Sequence, residues 1–315
     1  MMKRCHMFDH GLHVNSSHFS PCSILPSFGQ FATVEDFYNS DAYIEFKDNV
    51  SNGQYDKICM DCLYGDKLNI QDSMPTDGLV IYFGGSSECD FACHTCRSSN
   101  KTLRNTATDN LDEHKFEVGT TPTSVVDWIL ENQFKVTKIA LVGGDPTLSR
   151  EVHRLLTGIE NKAIEIHYNY NGARLKFPNG DYIYDVLSRF TKVEFSTSVD
   201  GNASNFAMIR PGVPYKRVLS NLKKVHDNLS DARYTVCITI SSLNIGSIID
   251  DLPDIVRDLS FVNADIYTNQ VFTPTYLSPN KVSYKDKKII KKRLLELAHH
   301  ETLSYLYRDI FKMLI

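Results

Sequence analysis

The pattern of apolar and polar positions changes character near residue 79. Before it, apolar residues are scattered among polar ones with no long helical period. After it, short apolar runs alternate with amphipathic stretches. Six runs rich in β-formers, 79–83, 138–142, 164–168, 193–199, 234–241 and 264–272, predict strands. Helical spacing predicts helices over 124–133, 149–161, 182–190, 215–229 and 245–259, and one last helix over 284–313. Strand and helix thus alternate six times, which argues an α/β fold with a parallel sheet and right-handed crossovers. The first 78 residues predict less: a hairpin over 8–19 turning at Asn15-Ser16-Ser17, a short helix within 33–43, and a C-x2-C turn from Cys59 to Cys62. Residues 1–78 therefore read as a small irregular module and 79–315 as the main domain.

Chemistry enters directly after the first main-domain strand. Gly84 and Gly85 end it, and Cys89, Cys93 and Cys96 follow in C-x3-C-x2-C spacing on a loop. Three thiolates hold three corners of a cubane iron–sulfur cluster, which usually takes four cysteines. The open iron is what a reactive metal site needs and what a structural site avoids. The alternative is a structural zinc site using these cysteines with His94 or a remote ligand. After the second strand comes Gly143-Gly144-Asp145-Pro146, where the glycines let backbone approach a ligand closely. After the third comes Asn169-Tyr170-Asn171-Gly172, readable as a simple turn or as a ligand contact. The fourth ends Ser196-Thr197-Ser198-Val199-Asp200-Gly201, and Arg210 follows Ser198 by twelve residues. Ser196 and Ser198 share one face of the strand. Arginine grips a carboxylate with two parallel hydrogen bonds. Cys237, in mid-strand, reads as a buried hydrophobe.

Four more cysteines, Cys5, Cys22, Cys59 and Cys62, precede the main domain. A four-thiolate set suits a closed [4Fe–4S] cluster or tetrahedral zinc, whose binding energy would help fold a segment poor in apolar periodicity. His6, His10, His13 and His18 crowd the same region and read as polar hairpin surface.

Composition narrows the compartment and the partners. Seven of the eight cysteines lie before residue 97, and the N-terminal residues lack the apolar core of a secretory signal, so a reducing cytoplasm is expected and the cysteines read as ligands before disulfides. No apolar run is long enough for a membrane span. The formal net charge of −4 supplies no global basic field for nucleic acid. Lys285, Lys287, Lys288, Lys291, Lys292 and Arg293 are read as the solvated face of the last helix, with Ile289, Ile290, Leu294 and Leu297 as its apolar stripe.

The cysteine spacing after a first strand resembles the radical S-adenosylmethionine (SAM) superfamily. The resemblance implies a partial (β/α)6 barrel, TIM-like, with its active site past the C-terminal ends of the strands. It implies a [4Fe–4S] cluster whose open iron binds the amino and carboxylate groups of SAM, and reductive cleavage to a 5′-deoxyadenosyl radical that abstracts hydrogen from a substrate. Gly143–Pro146 resembles the family's GGEP turn, which binds the SAM amino group, with Asp145 where Glu is commoner. Asn171 stands in the counterpart of its Thr-Asn-Gly turn. Ser196 to Gly201 resembles the Ser-Leu-Asp-Gly strand end of peptide-modifying members, placing Ser196, Ser198, Asp200 and Arg210 at SAM. Thr95 departs from the aromatic or bulky apolar residue usual before the third cysteine. The four early cysteines resemble the "twitch" auxiliary-cluster module, a relative of the SPASM module, here placed ahead of the barrel. Expected partners are a peptide, protein or small-molecule substrate and a reductant such as flavodoxin or ferredoxin. A nucleotide- or nucleoside-modifying member and a non-catalytic zinc protein are the alternatives.

Overall fold

The computed structural model describes residues 7–23, 25–55, 59, 78–96, 120–272, 275–299 and 302–314. The chain divides into two compact units. One comprises Met1–Glu88, Glu117–Asn169 and Lys176–Val193, the other Cys89–Phe116, Tyr170–Leu175 and Glu194–Ile315.

All six predicted strands form. In the first unit β4 (Leu79–Gly84), β5 (Val136–Val142) and β6 (Glu165–Tyr170) pair in parallel, β4 with β5 and β5 with β6. Val80, Ile81 and Phe83 of β4 are all fully buried, as expected of a parallel strand covered on both faces. The predicted hairpin also forms. β1 (Gly11–Asn15) and β2 (His18–Ser20) are antiparallel, turning at Ser16, whose φ is 56°. A short β3 (Gly29–Gln30) pairs with β2.

The hairpin does more than the sequence pattern suggests, because β1 pairs in parallel with β4 and extends the sheet. Leu12 and Val14 are fully buried there, but a five-residue strand is too short for its alternation to stand out. His13 corrects the hairpin-surface expectation. It pairs in register with Tyr82, its Nδ1 lies 3.1 Å from Ser20 Oγ, and burial pushes its pKa down to about 4. The short helix expected within 33–43 is two helices, Val34–Tyr38 and Asp41–Ser51, capped by Thr33 and Ser40. Aromatic packing hides their period: Phe37 meets Tyr43 at 4.9 Å and Phe19 at 5.6 Å between ring centroids.

In the second unit β7 (Lys192–Ser198), β8 (Arg233–Ile240) and β9 (Ala264–Gln270) are parallel neighbours in that order. The last predicted helix is two, Tyr284–Leu297 and Ser304–Lys312. Ile290 and Leu294 are buried, and so are Leu303, Leu306, Tyr307 and Ile310. Leu303 follows Leu294 at about two and a half helical turns. One continuous helix would aim the two apolar stripes in opposite directions, and the break lets both face inward. Ile289, expected in the stripe, is 57% exposed. The basic residues of this helix are exposed or half-buried, as a solvated face requires.

Candidate functional site

The second unit holds the three-cysteine loop and most of the residues predicted to serve it. The loop backbone is fastened to the segment after β7. Ala92 N donates to Pro211 O at 2.8 Å and His94 N to Ile209 O at 3.1 Å. Gly212, at φ +133°, packs so closely that a Cβ there would lie 2.3 Å from Asp90 O. Asp90 accepts both arms of the Arg174 guanidinium, at 2.5 and 2.9 Å. Cys96 N closes a turn on Cys93 O, and the Cys89 thiol receives Phe91 N at 3.4 Å.

Asn171 shapes the turn and also reaches the cysteine loop. Its Oδ1 accepts Ala173 N at 2.8 Å, shaping the turn, and its Nδ2 points to Cys89 Sγ at 3.5 Å. Gly172 is needed there, since at φ +81° a Cβ would meet Val218 at 2.5 Å.

Arg210 lies at the centre of this arrangement. Its Nη1 donates to Asp200 Oδ2 at 2.9 Å, and its guanidinium lies 5.2 Å from the centroid of the Phe91 ring. Asp200, fully buried, also accepts Thr239 N at 2.7 Å. Burial opposes the arginine's charge, but Cys93 and Asp200 beside it hold its pKa above the ordinary value. Arg210 Nε is buried and has no hydrogen-bond partner. Cys93 is 8% exposed, and burial pushes its thiol up to about 11 against the pull of Arg210. A thiol in that environment ionises only when a cation replaces its proton.

Ser196 Oγ lies 3.4 Å from Tyr267 OH, and Ser198 pairs in register with Cys237 on β8. Cys237 is half-buried and lies on this polar face rather than among apolar side chains; its thiol meets Tyr267 and Thr239. Tyr267, Asp90 and Arg174 carried no signal in the sequence, since each acts through a partner remote along the chain.

In the first unit, Gly143–Pro146 folds against the segment leading out of β4. Gly144 N donates to Ser86 O at 3.0 Å and Asp145 N to Glu88 O at 2.7 Å. A Cβ on Gly144 would lie 2.0 Å from Glu88 O, so glycine is required. Asp145, 1% exposed, uses Oδ1 to cap Thr147 N at 2.9 Å. In this unit Cys22 packs against a small cluster of Leu25, Val50 and Cys59. Cys5 and Cys62 lie outside the described residues.

The residues fit the cubane cluster that the spacing implies. The three thiols sit on one loop in one unit, with a positive charge beside Cys93 and a buried arginine nitrogen without a partner. Among the described residues no three His, Cys, Asp or Glu side chains crowd around a single ion position. In a cubane each cysteine binds its own iron.

The Radical SAM superfamily model matches residues 86–259, more than half of the chain. The chain belongs to the radical SAM superfamily, and its parallel α/β fold is the one typical of that family's partial barrel. Two solved structures share the fold. SuiB of Streptococcus suis bound to S-adenosylmethionine matches with TM-score 0.50 at 14% identity, over 83% of this chain and 60% of SuiB. Native anSMEcpe with bound AdoMet matches with TM-score 0.50 at 16% identity, over 72% of this chain and 62% of that one. The chain thus spans about three fifths of the length of these relatives. No curated protein matches it.

Proposed function

We propose that the protein is an enzyme that reductively cleaves SAM at a [4Fe–4S] cluster held by Cys89, Cys93 and Cys96. The cluster and SAM supply a 5′-deoxyadenosyl radical, while the chain binds, orients and shields. Arg210 carries the reading: a buried guanidinium beside two of the cysteines, with one nitrogen left unpartnered, is a receptor for a carboxylate. In this reading Arg210 takes the SAM carboxylate while Asp200 fixes the angle of its guanidinium. The backbone of Gly143 and Gly144 takes the amino group, and Asn171, Ser196 and Ser198 line the remainder.

The substrate class we favour is a peptide or protein side chain, on the resemblance of Ser196 to Gly201 to the strand end of peptide-modifying members. The electron would come from a flavodoxin- or ferredoxin-type donor in the cytoplasm. Cys5, Cys22, Cys59 and Cys62 would hold a second centre in a twitch-like first module, iron–sulfur in preference to zinc. The packing of Cys22 against the cluster that includes Cys59 supports this grouping. Anaerobic reconstitution tests the core of the proposal. Iron and sulfide are counted, and 5′-deoxyadenosine is assayed after reduction in the presence of SAM. Iron incorporation without any SAM cleavage would overturn it.

A further inference from the structure

Asn15 ends β1 at the level where β4 and β5 also end. It pairs in register with Gly84, and Gly84 pairs with Val142, the residue before the Gly143–Pro146 turn. The three strands are parallel, so Asn15 stands at the C-terminal edge of the sheet, where proteins built on parallel α/β sheets bind their ligands. Its side chain lies over Gly84: a Cβ on that glycine would come 2.7 Å from Asn15 Oδ1. The same oxygen lies 3.8 Å from the place a Cβ on Gly143 would take. The first strand thus brings a side-chain amide to the glycine turn that the reading above assigns to the SAM amino group.

Asn15 Oδ1 is buried and has no hydrogen-bond partner among the described residues. A buried carbonyl oxygen without a donor is unfavourable, and an apolar side chain would fill the space over Gly84 without that cost. The polar groups nearby are committed elsewhere. Gly144 N donates to Ser86 O and Asp145 N to Glu88 O, while Thr121 Oγ1 donates to Gly84 O. His13 shares the face of β1 with Asn15, but its Nδ1 lies 3.1 Å from Ser20 Oγ. The Ser20 hydroxyl donates to Cys22 O at 2.7 Å, so Nδ1 carries the hydrogen and points it at Ser20. A ligand at Asn15 must therefore bring the donor itself. An amino group has N–H bonds to give, and a carboxylate has none.

We propose that Asn15 accepts a hydrogen bond from the amino group of SAM, beside the backbone of Gly143 and Gly144. The inference rests on the SAM-cleaving reading above. It gives the segment ahead of the main domain a direct part in binding SAM, separate from any metal its cysteines hold. Gly84 is then needed as the floor on which the Asn15 amide lies, since any side chain there would push the amide aside.

The test is a binding measurement and needs no turnover. SAM is titrated calorimetrically into anaerobically reconstituted protein of measured iron content, beside an analogue that carries hydrogen in place of the α-amino group. The wild type binds SAM more tightly than the analogue. Asn15→Ala weakens SAM by about tenfold and leaves the analogue unchanged. Asn15→Asp keeps an acceptor of the same shape, and its preference for SAM over the analogue is at least that of the wild type. Gly84→Ala displaces the amide without altering Asn15 and repeats the selective loss, so the contact is read even where one variant folds poorly. Equal weakening of SAM and the analogue in Asn15→Ala, or no weakening of either, overturns the role of Asn15 and leaves SAM binding standing. A preference in Asn15→Asp as low as in Asn15→Ala does the same. Absence of SAM binding by the wild type overturns the SAM-cleaving reading and this inference with it.

Discussion

Asp200 and Arg210 form a buried ion pair at 2.9 Å that links the end of β7 to the cysteine loop. Asp200 also accepts the amide of Thr239 from β8, and Arg210 stacks over Phe91 within the loop. The pair therefore fixes the arginine geometrically before any ligand arrives. Its stability and binding roles are separable. Arg210→Ala leaves the Asp200 carboxylate buried without its cation, a loss of about 3–5 kcal/mol. It also removes a charge-assisted contact worth about 1.5–3 kcal/mol to SAM, roughly ten- to a hundredfold in affinity. The double variant Asp200→Asn with Arg210→Ala regains much of the thermal stability and none of the affinity. Calorimetric melting and SAM titration distinguish the two. Wild-type SAM affinity in the single variant would return Arg210 to a purely structural role.

Changing Cys89, Cys93 and Cys96 together to Ala abolishes 5′-deoxyadenosine formation and lowers iron by about four per chain, the content of one cubane. Product formation and metal analysis check this on one anaerobic preparation. Continued SAM cleavage in the triple variant would sink the assignment of the loop.

Gly212→Ala tests how the loop is seated. At φ +133° the added Cβ meets Asp90 O at 2.3 Å, so the backbone must shift. The strained backbone costs about 1–3 kcal/mol, and the same shift loosens the Ala92–Pro211 bond. The expected outcome is faster loss of iron to a chelator with the secondary structure retained. Equal rates in variant and wild type would show that the Gly212 segment does not hold the cysteine loop.

The six strands were legible because short apolar runs bounded by turn residues admit few other readings. The Gly143–Pro146 turn stood out in the sequence, whereas the cap of Asp145 on Thr147 N is visible only in the folded turn. The spacing from Ser198 to Arg210 singled out the arginine. That Asp200 is its partner could not be read, since the pairing depends on how the chain doubles back. Arg174 and Asp90 are 84 residues apart, and no local pattern announces their two-pronged contact. Cys237 shows the limit of reading a residue by its own strand. Its thiol meets Tyr267, which becomes its neighbour only through the register of β8 with β9.

His13 gives the fold a pH dependence of defined sign. Burial lowers its pKa from 6.5 to about 4, so between those values the unfolded chain binds a proton that the folded chain refuses. Stability is full above pH 6.5, falls as the pH drops toward 4, and loses on the order of 3 kcal/mol across that window. His13→Leu flattens this part of the profile of chemical denaturation against pH. An unaltered profile would assign the acid sensitivity to other groups.

The last prediction concerns the early cysteines. Cys59 is 6% exposed beside Leu25 and Val50, and Cys22 packs against the same cluster. A single buried thiol is ordinarily a small hydrophobe. Two thiols separated by a long stretch of chain and gathered at one cluster are better placed for a shared ligand, with Cys5 and Cys62 completing a four-thiolate set. Ordering such a segment costs about 1–2 kcal/mol per residue, and a centre that joins its distant points turns metal-binding energy into folding energy. Replacing Cys5, Cys22, Cys59 and Cys62 by Ser should lower iron by about four per chain, expose the first module to limited proteolysis, and leave the cluster of the Cys89–Cys93–Cys96 loop in place. Loss of one zinc instead would keep the structural claim and remove the redox one. If neither metal content nor proteolytic pattern changes, Cys22 and Cys59 are packing residues and the first module folds without a metal.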